Sequence, residues 1–157
     1  MHIELQPFSP EHQDFLFRLY ASTRQAEIAP FGWDRAQQDA FLRMQFSAQQ
    51  RWYEMAYEGA DHRIIMMDGE PAGRILVHRG SRAHTLVDIA LLPEYRNRGI
   101  GGQLLRQLIA DAGQTGIPVR LQVLKSNPAH HLYERLGFVM TGEDGMYFQM
   151  EKATAGC

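Results

Sequence analysis

VDIALLPEYRNRGIGGQLL, residues 87–105, decides the fold. Val87, Ile89, Leu91 and Leu92 make an apolar strand that meets Pro93, crosses a basic, glycine-rich turn and enters a helix without a break. The turn carries Arg96, Arg98, Gly99, Gly101 and Gly102. First-turn N–H groups of a helix lack intrahelical partners, and the macrodipole leaves about half a positive charge there. Glycine lets backbone approach a ligand closely, and arginine offers a forked donor suited to phosphate. The junction is therefore expected to hold a phosphate-bearing ligand.

Outward from this stretch, the spacing predicts a strand at His2–Gln6 with Ile3 and Leu5 on one face. Ser9 and Pro10 start a helix with Phe15, Leu16, Leu19 and Tyr20 on its stripe, ending near Thr23, and residues 24–33 read as a loop. Asp34 caps a second helix with Phe41, Met44 and Ala48 at helical spacing while Leu42 and Phe46 face elsewhere. Arg63–Met67 and Pro71–His78 form a hairpin around Asp68-Gly69, and His84–Leu92 is the strand that feeds the turn. A helix from about Gly101 to Gly113 follows, then a strand at Val119–Leu124. Asn127-Pro128 opens a short helix closed by Gly137, with Ala129, Leu132, Tyr133 and Leu136 on its stripe. Phe138–Gly142 and Met146–Met150 make a closing hairpin. A helix joining strands 87–92 and 119–124 allows them to be parallel neighbours. The expected class is α+β, a mixed α/β three-layer sandwich with a largely antiparallel central sheet. One domain over residues 1–151 is expected, with 152–157 a frayed tail.

The bulk numbers narrow the function. The 157 residues are 45% hydrophobic and 22% charged with net charge −2, so a general basic field for nucleic acid or anionic membrane is absent. The only cysteine, Cys157, excludes an internal disulfide framework and a cysteine-ligated zinc site. No apolar run is long enough to span a membrane, and with Glu4, Pro7, Pro10 and Glu11 in its first dozen residues a leader-like start is not expected. A reducing cytoplasm fits this composition, as does a disulfide-free secreted protein. The P-loop pattern fails because no lysine and Ser/Thr follow the glycines. The dinucleotide fingerprint fails because the glycines fall at 99, 101 and 102 and position 119 is valine.

Arg96-Asn97-Arg98-Gly99-Ile100-Gly101 matches the acetyl-CoA signature of the Gcn5-related N-acetyltransferase (GNAT) superfamily. A second block, Asn127, Tyr133, Gly137 and Phe138, falls at family-like spacing, so the chain resembles that superfamily over residues 1–150. The resemblance implies an N-acetyltransferase that uses acetyl-CoA as donor and acts on an amine of a small molecule or peptide by direct attack in a ternary complex. It implies no metal. A catalytically silent acetyl-CoA-binding sensor is the alternative.

Residue by residue, the resemblance implies that backbone amides from Arg96 and Asn97 through Arg98, Gly99, Ile100, Gly101 and Gly102 wrap the pyrophosphate. Leu91 and Leu92 pair their backbones with the pantetheine arm where that strand splays from its parallel neighbour. Asn127 touches the arm and Tyr133 lies near the sulfur. A backbone N–H at Leu91 or Leu92 could polarise the carbonyl, and Tyr133 could protonate the thiolate. Stripe position alone also allows Tyr133 to be core. Asp88, Thr85, His130 and His131 are the candidate bases. Asp88 heads them, with a structural hydrogen-bonding role as its alternative, while both histidines read as solvated surface. Arg24, Glu27, Phe31, Trp33, Gln45, Tyr53 and Met146 are the acceptor-wall candidates. Arg24 and Glu27 either recognise a zwitterion or pair with each other. Exposed aromatics of the second helix make a homodimer plausible.

Overall fold

The computed structural model describes residues 2–154, so Cys157 and the end of the tail lie outside the described residues. The elements run β1 (Ile3–Pro7), α1 (Gln13–Ile28), α2 (Arg35–Ala56), β2 (Asp61–Met67), β3 (Glu70–Arg79), β4 (His84–Leu91), α3 (Ile100–Gly113), β5 (Val119–Leu124), α4 (Ala129–Arg135), β6 (Val139–Glu143) and β7 (Tyr147–Lys152). The sheet order is β1-β2-β3-β4-β5-β7-β6. β4 and β5 are parallel, while β1·β2, β5·β7 and β6·β7 are antiparallel. This is the expected mixed α/β class with a largely antiparallel sheet. No helix is long and apolar enough to cross a membrane among the described residues.

The chain forms two compact units. Met1–Ile75 with Ile89–Arg96 is the first, and Leu76–Asp88 with Asn97–Cys157 the second. In the first, α1 and α2 bury Phe15, Leu16, Leu19, Tyr20, Leu42 and Phe46 together with Ile64 and Met66 of β2. Asp34 caps α2, its carboxylate accepting from Gln37 N–H at 2.8 Å while Gln37 returns a bond to Asp34 N–H at 3.1 Å. Asp68 and Gly69 turn the β2–β3 hairpin with φ of 48° and 84°, the pair of positive values that a tight two-residue turn needs.

In the second unit the parallel ladder pairs His84, Thr85 and Leu86 with Val119, Arg120 and Leu121. β5 also pairs β7 along its whole length, from Val119↔Lys152 to Leu124↔Tyr147. Ile100, Leu104, Leu105, Leu108 and Ala112 bury the inner face of α3.

Several expectations are corrected. Residues 24–28 continue α1, and Pro30 lies in a one-turn 3-10 helix, Ala29–Phe31, that ends at left-handed Gly32. Proline is compatible with the first turn of a new helical segment, so it does not break the residues before it. On α2 the faces are exchanged. Leu42 and Phe46 are core, whereas Met44 is 62% exposed, because the apolar residues surround the helix and tertiary packing chooses among them. Leu5 is exposed on β1. Lys152 belongs to β7, and Thr154 Oγ1 donates to Ile117 O at 2.6 Å, so the chain is tied down as far as that residue.

Candidate active site

In the second unit, Asn97 and Gly99 both take left-handed backbone, with φ of 61° and 82°, on either side of Arg98. Gly99 is the N-cap of α3 and has no side chain with which to cap the first-turn amides of Ile100, Gly101 and Gly102. The first intrahelical bond goes from Gln103 N–H to Gly99 O at 3.1 Å. Added Cβ atoms test which glycines the fold itself requires. At Gly99 the open space around a Cβ leaves the positive φ as the reason for glycine. At Gly101 a Cβ would make only ordinary contact with Leu132 Cδ2, at 3.7 Å. The protein does not need glycine there, whereas a ligand drawn close to the backbone would. An uncapped helix start with exposed Arg98 and Gly99 fits a diphosphate.

Tyr133 is buried on α4, its ring edge-on to Phe138 at 5.8 Å. Burial, and then the charge of Asp88, push its phenol up to about 12. The two residues singled out as catalytic therefore interact, the carboxylate favouring a protonated phenol. Asp88 itself is half-buried on β4. Asn127 Oδ1 accepts from Ala129 N–H at 2.9 Å, a turn contact at the entry to α4 that leaves the donor half of the amide for other partners. His130 is more enclosed than a surface residue, standing edge-on to Phe148 at 5.5 Å, while His131 is exposed.

In the first unit the end of β4 separates Leu91 from Leu92. Leu92 N–H donates to Ala72 O on β3 at 2.8 Å, and its side chain packs on the helix core. Its amide is thus committed, which removes it as a donor to a substrate carbonyl. Strand alternation turns the backbone of Leu91 the other way. Leu91 O accepts from Arg96 Nε at 2.9 Å, so Arg96 is anchored at the strand end.

Arg24, Glu27, Phe31 and Gln45 line one cavity of about 190 Å³ with Phe41 and Leu42. Trp33 lies 5.0 Å from both Phe31 and Phe41, centroid to centroid. Five of the seven acceptor-wall candidates are therefore neighbours. Arg24 and Glu27 form an ion pair at 3.0 Å, and Tyr20 Oη donates to Gln45 Oε1 at 3.4 Å. Tyr53 is elsewhere, 5.5 Å beneath the guanidinium of Arg74. Met146 is exposed in the β6–β7 turn of the second unit, a turn fixed by Asp144, whose carboxylate accepts from the amides of Met146 and Tyr147.

The sequence reading overlooked a polar cluster in the first unit. Arg74 is 4% exposed and donates to Gln49 Oε1 at 2.9 Å. Nearby His62 stacks on Phe8 at 4.6 Å, and burial, then the Arg74 charge, pull its imidazole down to about 4. The signal available was an arginine inside the otherwise apolar run of β3, buried from Ala72 to Val77. Gly73 was overlooked too. A Cβ there would collide with Ala90 O and crowd Leu91, so β3 and β4 approach too closely for a side chain.

Comparison with known proteins adds the following. The model of the acetyltransferase (GNAT) family matches residues 16–138. Among curated proteins, a [ribosomal protein bS18]-alanine N-acetyltransferase of Haemophilus influenzae is 44% identical over 55 residues, 34% of this chain and 38% of that protein. Streptothricin acetyltransferase of Streptomyces lavendulae is 34% identical over 99 residues, 59% of this chain and 52% of that protein. The chain thus matches about half or less of the length of these relatives. Among solved structures, the PaiA N-acetyltransferase of Thermoplasma acidophilum in complex with coenzyme A superposes with TM-score 0.73 at 23% identity, covering 98% of this chain and 99% of that one. The ribosomal-protein-S18-alanine N-acetyltransferase of Escherichia coli gives TM-score 0.64 at 20% identity, covering 99% and 96%. At these identities the structural likeness establishes the fold.

Proposed function

Since the chain belongs to the GNAT acetyltransferase family, we propose that it is an enzyme that transfers the acetyl group of acetyl-CoA to a primary amine of a small molecule or peptide by direct attack in a ternary complex. The observation that carries this reading is the turn at residues 97–102. Two left-handed residues present the uncapped amides of Ile100, Gly101 and Gly102, and among the described residues a Cβ at position 101 would meet only Leu132, at ordinary contact distance. Those amides hold the diphosphate of the donor, with Arg96 and Arg98 adding charge at its rim. The backbone of Leu91 receives the pantetheine arm, and in the second unit Asn127 has its amide donor to offer a ligand.

The donor supplies a thioester whose carbonyl carbon accepts the amine. A C–N bond forms, the C–S bond breaks, and the ammonium proton must leave before attack, since a lysine-like amine has pKa near about 10.4. Leu91 N–H is the backbone donor for the carbonyl oxygen, Leu92 N–H being committed to Ala72. Asp88 takes the amine's proton. Tyr133 gives a proton to the departing sulfur and regains one from solvent. With the phenol at about 12 and a free thiol at about 8.5, complete transfer is uphill by roughly 4–5 kcal/mol. Tyr133 therefore acts as a hydrogen-bond donor that yields its proton only as the C–S bond breaks.

The acceptor enters the cavity lined by Arg24, Glu27, Phe31 and Gln45, where aromatic faces favour a cationic group. Its lining accommodates the amines of a peptide or a small molecule. The test is turnover of acetyl-CoA across a panel of small amines, amino acids and peptide N-termini. Stoichiometric release of CoA with N-acetyl product supports the enzyme. CoA binding with no product from any amine would favour the silent sensor. A pH–rate profile of Asp88→Asn reads the base: the inflection on the acidic limb disappears if Asp88 serves, and survives if it does not.

A further inference from the structure

We propose that His130, His131 and Glu134 form a three-ligand site for a borderline divalent cation such as Zn²⁺ on α4, independent of acyl transfer. At about 100° per residue, Glu134 falls one turn on and roughly 40° round from His130, between the directions of the two histidines. The structure shows that convergence. His130 Nδ1 lies 3.5 Å from one Glu134 carboxylate oxygen and His131 Nδ1 lies 3.9 Å from the other. One ligand atom from each of the three residues falls within 4.8 Å of the others. Tetrahedral zinc with bonds of about 2.0–2.2 Å holds its ligands about 3.3–3.6 Å apart, so small rotamer adjustments close the site. Two imidazoles and one carboxylate form a donor set that suits zinc, with the fourth position left to water.

A second observation points the same way. His130 Nδ1 is buried yet makes no hydrogen bond among the described residues, its approach to Glu134 being 3.5 Å. A buried imidazole nitrogen without a partner is destabilising, and a coordinated cation would satisfy it. His131 and Glu134 are mostly exposed, with side chains 63% and 55% accessible, so the cation has an open path. Coordination would brace the outer side of the short helix that carries Tyr133.

The test uses the full chain carrying Cys157→Ser, stripped with chelator, so that the single thiol cannot capture the probe. Zn²⁺ is titrated at pH 7.5 with calorimetry and thermal melting as readouts. The expected result is one equivalent bound and a melting temperature raised by several degrees. His131→Ala and Glu134→Gln, both at exposed positions, should each weaken binding at least tenfold, with the unloaded melting temperature within a degree or two. No stoichiometric binding to the parent chain would overturn the site. So would equal affinity in the parent and in whichever of the two variants is folded.

Discussion

Tyr133 holds its proton throughout the working pH range, because burial and the neighbouring Asp88 charge both oppose the phenolate. Tyr133→Phe removes one oxygen and keeps the ring against Phe138. Turnover should fall about 10–100-fold while the KM for the donor stays within about twofold, the pattern for a contact made only as the thiolate forms. Unchanged turnover would leave the residue as packing. Gly99 and Gly101 call for different substitutions. Gly99→Val would strain a left-handed position as well as the ligand contact, so its loss of binding would be ambiguous. Gly101→Ala meets only Leu132 at ordinary distance and should keep the parent's melting temperature while losing tenfold or more of its CoA affinity. His62 sets an acid limit. Its folded imidazole is lowered to about 4 from 6.5, so above pH 6.5 both states are neutral and the residue has no effect. Between pH 6.5 and 4 the unfolded chain takes up a proton that the folded chain refuses, and stability falls. The loss has an upper bound of roughly 3 kcal/mol, less after solvent screening of a partly exposed ring. His62→Gln should flatten that part of a stability-against-pH curve measured by urea melts. An unchanged slope would place the acid sensitivity elsewhere.

At the scale of elements, the close approach of β3 and β4 is the most specific constraint. Gly73→Ala forces Ala90 and Leu91 to move, and Leu91 is where the donor arm is proposed to lie. The variant should lower both the melting temperature and CoA affinity, whereas a change in neither would mean the strands separate at little cost. On α2 the core face predicts a contrast: Leu42→Ala should cost about 2–5 kcal/mol and Met44→Ala less than about 0.5, as measured by denaturant midpoints. That contrast also shows what was legible in the chain. Period-two runs around Asp68-Gly69, the strand at Val119–Leu124 and the cap at Asp34 could be read directly, because turn and cap chemistry act locally. The face of α2 could not, since apolar residues ring that helix and the choice between Leu42 and Met44 is made by α1 and β2. For the same reason Arg24 was read as loop, although tertiary packing carries α1 on to Ile28. That the glycine turn opens α3 was legible from residue types alone. That Leu92 N–H was already bonded to Ala72 was not, because it depends on the register of β4 against β3.

For the molecule as a whole, the family match over residues 16–138 fixes the kind of protein, and the acceptor is the open chemical variable. The relatives named for a ribosomal-protein alanine and for streptothricin cover only part of this chain, so neither name fixes the acceptor. Any ligand that binds only the folded state stabilises it by mass action, about 2.7 kcal/mol at a hundredfold excess over Kd. CoA should therefore raise the melting temperature progressively with concentration, and a curve that does not move would speak against a preformed donor site. Binding of the diphosphate by the turn can be read amide by amide. In a ¹H–¹⁵N correlation spectrum of the uniformly labelled chain titrated with CoA, the backbone resonances of Ile100, Gly101 and Gly102 should show some of the largest displacements, saturating together at one equivalent. Saturable binding that leaves those three amides where they were would contradict the account.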